Sequence, residues 1–359
     1  MQRLQKIRMA MLCFSLFLFS EAYAATDDLV MIFSGDNLGA VEPGGCGCAP
    51  KKGGLARRAS AIERIKRENK NVLVVDCGDL FSEKKTAPEL RAETISKAME
   101  IMKYDAINVG DNDFIFGVDF FKKMASANKL PFISSNIKIA GSPELISPYV
   151  IKKFDKFSVG ITGIADPAFF KTAEATGKNI STGDARSYLN KALSEMKGKT
   201  DFVILLSHIG ESASLKFIEQ NDIGQVSIAV TGHTRGLTME PIKVKNTFAM
   251  QNCLAGESIG ILRITLNSNF VPESCRIEND PLSASVPDHP EIATMVKEFE
   301  IKSLSAAEQE IIRRQKQKED EMVKETLHLS PEQFIEKMKK REDEKMKEML
   351  NSADSASKK

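Results

Sequence analysis

From about residue 29 to 280, apolar runs alternate with amphipathic stretches, and this alternation restricts the chain to a narrow set of folds. LVMIF (29–33), NVLVV (71–75), AINV (106–109), FSVGITGI (157–164), DFVILL (201–206) and VSIAV (226–230) have the length and unbroken apolar character of buried strands. Between them, LARRASAIERIKREN and SYLNKALSEMKGK place apolar residues three to four apart, the spacing of helices. Strand–helix alternation of this kind predicts an α/β domain with substantial parallel pairing. Near its end TFAMQN and SIGILRITLNS read as a hairpin, which makes the sheet mixed. No internal repeat accompanies the pattern.

The flanks differ in kind. MQRLQKIR carries Arg3, Lys6 and Arg8, MAMLCFSLFLF is apolar, and Ala22-Tyr23-Ala24 supplies small residues two apart. This predicts a Sec-type signal peptide over residues 1–24, cut after Ala24, with a periplasmic or secreted mature chain. The apolar run is too short for a spanning helix, so no stable membrane insertion is expected after cleavage. Without the leader, 47 Lys and Arg (50 − 3) face 48 Asp and Glu (49 − 1), a charge near −1. That balance argues against nucleic acid as a partner, which usually calls for a basic excess. After a main domain over 25–286, residues 287–359 form a Lys- and Glu-rich helical tail. Ile292, Met295, Val296, Phe299 and Leu304 recur at helical spacing and could dock on the core. Ser330-Pro331-Glu332-Gln333 reads as a capped helix start. A solvated tail is the simpler reading, a protein-partner segment the other.

Five apolar runs end in Asp or His: IFSGD (Asp36), VVDCGD (Asp79), NVGDND (Asp111), ILLSH (His208) and IAVTGH (His233). Ligands of open α/β sheets bind beyond the carboxyl ends of the strands, so these side chains should converge. Two of the chain's four histidines fall on this edge; His289 and His328 lie in the tail. Asp and His without a thiolate pair suit a divalent ion of the Mn, Zn or Fe class. Such an ion polarises phosphoryl oxygens and acidifies water.

GGLARRAS, YDAINVGDNDF, FISSNI, LLSHIG and VTGHT, in that order over about residues 29–270, resemble the calcineurin-like metallophosphoesterases. The resemblance is to the secreted 5′-nucleotidase and 2′,3′-cyclic-nucleotide phosphodiesterase branch. It implies an α/β/β/α sandwich of mixed sheets and hydrolysis of a small phosphorylated substrate or other phosphate ester. The family pattern is D-x-H, G-D, G-N-H-[DE], a lone His and G-H-x-H around two bridged metals. Here Leu38 replaces the first His and Arg235 the last, while Gly78-Asp79, His208 and His233 match. Asp111 takes the place of an Asn ligand, Asn112 that of the His that assists the leaving group, and Asp113 the acidic position.

By that pattern Leu38 and Arg235 strip one metal of ligands and leave it only Asp36 and Asp79. Asp79, Asp111, His208 and His233 would complete the other. The resemblance therefore implies one divalent ion, with Asn112, Asp113 and Arg235 as candidate catalytic residues. Arg235 would clamp a phosphate, or else pair with Asp36. A catalytically silent binding protein on the same scaffold is the competing reading. A third rests on Cys46 and Cys48 in PGGCGCAPKKGG: a disulfide, a soft-metal pair or a redox thiol pair. Cys77 reads as a core thiol, and a Cys253–Cys275 bridge is possible without being indicated.

Overall fold

The computed structural model describes residues 28–45, 50–171, 179–304, 306–327, 329–337 and 339–340. The expected signal peptide, Cys46, Cys48 and His328 lie outside these residues.

The first half alternates strictly: β1 (Leu29–Ser34), α1 (Leu55–Glu68), β2 (Val72–Asp76), α2 (Pro88–Met102), β3 (Ala106–Asn108), α3 (Val118–Ala127) and β4 (Phe132–Ile133). β5 (Ile137–Ile139), β6 (Tyr149–Lys153), β7 (Ser158–Ala165) and β8 (Ile180–Thr182) follow, then α4 (Ala185–Met196), β9 (Phe202–His208), α5 (Glu211–Gln220) and β10 (Val226–Thr231). β11 (Gly236–Leu237), β12 (Ile242–Val244), β13 (Thr247–Cys253), β14 (Ile259–Leu266) and β15 (Pro272–Asp280) complete the strands, before α6 (Pro290–Ser303) and α7 (Ala306–Thr326).

One sheet runs β15-β14-β1-β2-β3-β4 and the other β11-β13-β10-β9-β7-β6, with β12 beside β13; β5 and β8 pair separately. The middle of each sheet is parallel. Alternate residues explain the unbroken apolar runs. Leu29, Met31, Phe33, Leu73 and Val75 face Val159, Ile161, Ile204, Leu206 and Val230 in a core between the sheets. Val30, Ile32, Val74 and Ile107 turn outward onto buried positions of α1, α2 and α3. Val203, Leu205 and Ala229 pack instead under α4 and α5. Each central strand is buried on both faces and so keeps no polar side. The result is the α/β/β/α sandwich.

The helices start and stop for local reasons. In α1, Leu55, Ala59, Ile62 and Ile65 form the buried stripe. Asn69 ends it, its side-chain amide donating to the Ile65 carbonyl at 2.8 Å. Pro88 opens α2 at its first turn, where no amide partner is lost.

The strands expected as a hairpin are not one. β13 pairs with β10, β11 and β12, whereas β14 pairs with β1 and β15, so the short link between them crosses from sheet to sheet. Cys253 and Cys275 accordingly lie in different sheets and are free thiols, as is the buried Cys77. The chain divides into a unit ending at Phe299 and another beginning at Glu300. Ile292, Val296 and Phe299 are buried in the first unit, past the expected boundary at 286. In the second, Ser330 and Gln333 exchange the two hydrogen bonds of a capping box. No helix among the described residues is long and apolar enough to cross a membrane.

Candidate metal centre

All five strand-end residues lie at the carboxyl edge, three on one sheet and two on the other. Asp36, Asp79 and Asp111 follow β1, β2 and β3; His208 ends β9 and His233 follows β10. The turns that carry them are tight. Asp36, Asp79 and His233 have left-handed backbones, with φ of 50°, 60° and 70°. Such conformations cost of order 1 kcal/mol or more each and cluster where side chains must be aimed. Gly110 is required: a Cβ there would collide with the Asp79 carboxylate and the His208 ring.

The ligand-competent atoms of Asp79, Asp111, His208 and His233 lie within 4.8 Å of one another. His208 Nε2 is 3.4 Å from Asp79 Oδ1 and 3.5 Å from Asp111 Oδ1, and His233 Nδ1 is 3.2 Å from Asp111 Oδ1. Asp111 Oδ1, His208 Nε2 and His233 Nδ1 are buried without a hydrogen-bond partner. Buried polar atoms in native proteins are nearly always satisfied, so three orphans facing one point call for a further group. The donor set suits a divalent cation. His208 is fully buried, and its Nδ1 donates to the Cys77 carbonyl at 2.8 Å. A carbonyl only accepts, so Nδ1 carries a proton and Nε2 is the ring atom that faces the cluster.

Charge tells the same story. Burial alone would lower the His208 pKa, yet the Asp79 and Asp111 carboxylates hold it well above the usual imidazole value. Burial pushes Asp111 up, but the two imidazoles outweigh it and leave the carboxyl well below its ordinary range. Two carboxylates and two imidazoles thus face one another across the cluster.

The remaining candidates divide. Asp36 is buried outside the four-residue group; its Oδ1 accepts the His233 backbone N–H at 3.0 Å, and burial raises its pKa to about 6. Asp113 is almost fully buried and accepts from the backbone N–H groups of Asp79, Leu80 and Gly110, at 3.1, 2.8 and 2.8 Å. Burial, with Asp79 beside it, pushes its pKa up to about 8. Its carboxyl braces two ligand loops rather than facing the cluster. Arg235 does not pair with Asp36: its side chain is 71% exposed and its Nη2 lies 3.8 Å from Glu257 Oε1.

Three further contributors were not among the candidate site residues. Phe169 stacks on the His233 imidazole at 3.7 Å and 10°. Asn108 donates from the first sheet to the Ile164 and Leu206 carbonyls of the second, each at 3.0 Å. Arg58 is buried in α1 and donates to Asn37 Oδ1 at 2.8 Å, steadying the loop after Asp36. Asn108 and Arg58 fall within YDAINVGDNDF and GGLARRAS, and Asn108 is also a polar residue inside an apolar run; Phe169 had no signal.

The fold and the cluster define a metallophosphoesterase-like sandwich with a metal-ligand group at its strand ends. No family model matches the chain. The 2′,3′-cyclic-nucleotide 2′-phosphodiesterase/3′-nucleotidase of Salmonella typhimurium is 28% identical over 186 residues, 46% of this chain and 29% of that protein. Human 5′-nucleotidase is 24% identical over 286 residues, 72% and 49% of the two chains. The calcineurin-like phosphoesterase YfkN of Bacillus subtilis shares the fold, with a TM-score of 0.63 and 18% identity over 77% of this chain and 97% of that one. Relatives and structural neighbours are thus 5′-nucleotidases, cyclic-nucleotide phosphodiesterases and calcineurin-like phosphoesterases, the superfamily and branch that the motifs resemble. The matched segment spans less than half the length of both curated relatives.

Proposed function

We propose that the chain is an exported, metal-dependent phosphoric-ester hydrolase acting on a small phosphorylated substrate. One divalent ion of the Mn, Zn or Fe class would be held by Asp79, Asp111, His208 and His233. The observation that carries this reading is the convergence of three buried, unpartnered ligand atoms beside Asp79. When bound, the ion supplies Lewis acidity at a phosphoryl oxygen and acidifies water.

The chain's own residues do the rest. The Cys77 carbonyl fixes the His208 tautomer, and Asp36 holds the His233 backbone. Asp113 braces the Asp79 and Asp111 loops. Asn112 can donate a hydrogen bond to a leaving oxygen but cannot deliver a proton, so esters with good leaving groups are favoured. Arg235, exposed and 3.8 Å from Glu257, is the candidate clamp for an anion. The site belongs to the main domain expected over 25–286, and within the segment 287–359 the charged part from Glu300 on is the candidate for a protein partner.

The test is hydrolysis of bis(p-nitrophenyl) phosphate by the mature chain with its metal content measured in parallel. Metal-loaded protein inactive on every activated ester overturns the hydrolase and leaves a ligand-binding relative.

A further inference from the structure

We propose that Phe169 is a positioning residue of the metal centre, its phenyl face holding the His233 imidazole with Nδ1 aimed at the cluster. This rests on the metal-binding reading above.

His233 needs such support. Its backbone is left-handed, and only its N–H is anchored, on Asp36. Its ring nitrogen Nδ1 is buried and unpartnered, 3.2 Å from Asp111 Oδ1. A ligating histidine is normally oriented by a hydrogen bond from its second nitrogen, as the Cys77 carbonyl orients His208. At His233 the stacked phenyl takes that part, at 3.7 Å between centroids and nearly parallel.

The turn that carries Phe169 is itself tied to the other ligand loops. Pro167–Phe170 forms a 3-10 turn capped by Asp166, whose side chain accepts from Ala168 N at 2.8 Å. The Asp166 N–H reaches the His208 carbonyl at 3.4 Å. Phe170 packs edge-on against Phe114, in the turn Asp111–Phe114. One short turn thus touches the loops of His208, Asp111 and His233. Stacking also favours the loaded state, because a coordinated imidazole gains positive character and a phenyl face attracts it.

Titration of the chelator-stripped protein with Co²⁺ tests the proposal by affinity and by the visible spectrum of the bound ion. Phe169→Leu and Phe169→Met keep the apolar bulk and remove the ring face. Each should bind Co²⁺ about 10-fold more weakly, the low end for loss of an orienting partner. The spectrum should change while melting of the metal-free protein does not. Phe169→Tyr should restore affinity and spectrum. Wild-type binding by the Leu or Met variant overturns the proposal, as does equal loss in the Tyr variant. If wild-type protein binds no Co²⁺ at all, the metal reading fails and takes this one with it; binding lost in His233→Ala but kept in Phe169→Leu isolates failure of the Phe169 proposal.

Discussion

Asn112 takes both carboxylate oxygens of Asp79, donating its backbone N–H to Oδ1 at 2.9 Å and its side-chain amide to Oδ2 at 2.6 Å. Asp79 also faces His208. The residue standing where the family places an acid therefore orients a ligand. It gives Oδ2 a neutral donor.

This pairing predicts how activity depends on the leaving group. Phenolates depart without a proton, whereas alkyl and nucleoside oxygens need one, a contribution of about 10²–10⁴ in rate. The protein should hydrolyse p-nitrophenyl esters measurably and AMP weakly. Asn112→His should narrow the gap, and parallel initial rates on the two substrates measure it. An unchanged ratio would show that position 112 does not reach the leaving group.

Elemental analysis of the purified mature chain should find about one divalent ion, since only one ligand set is complete. His208→Ala and His233→Ala should each abolish it. His289→Ala should not, because that imidazole lies against Glu63 at 3.2 Å. Two tightly held ions would contradict the meaning given to Leu38 and Arg235.

Asn108 is fully buried two residues before Gly110, and its amide crosses between the sheets. Asn108→Leu would remove both donors, at a total cost of about 1–3 kcal/mol. Urea unfolding of the metal-free protein should show a loss in that range. No change would mean that the carbonyls find other donors.

Glu42 offers a pH test away from the cluster. Burial raises its pKa, but the two hydrogen bonds from Arg91, at 2.5 and 3.1 Å, outweigh that and leave it below 4.5. Arg91 also lies over the Phe299 ring at 4.7 Å. A depressed carboxyl pKa contributes stability that is present above the unfolded value and lost as pH falls through the folded one. Glu42→Gln should thus cost about 1 kcal/mol at pH 7, with the deficit closing below pH 4.5. Denaturation at the two pH values checks the sign; a deficit that persists in acid would point to packing instead.

What the sequence disclosed follows from which interactions are local. The strand-end residues were legible because each closes its own apolar run, and parallel sheets bring such ends together. The partners of β13 and β14 were not, because a five-residue link joins a hairpin as easily as it crosses between sheets. Asp113 was a catalytic candidate because it takes the acidic position of the pattern that the motifs resemble. The 3-10 turn instead sends its carboxyl inward to three amides, while Asp111 faces the cluster. Phe169 was silent because an aromatic after a strand looks like core.

Arg235 separates a clamp from a bystander. Its pair with Glu257 spans 3.8 Å and is largely exposed, an arrangement typically worth less than about 1 kcal/mol. Arg235→Ala should therefore leave the melting temperature unchanged. If the guanidinium grips a phosphate, losing its charge-assisted bonds, at about 1.5–3 kcal/mol, should weaken inhibition by inorganic phosphate at least 10-fold. Arg235→Lys keeps the charge but not the planar fork, so it should fall between the two. Raising the salt concentration should erode the difference, because the site rim is open to screening. Equal inhibition of all three proteins would assign Arg235 to the surface and leave anion binding to the metal centre alone.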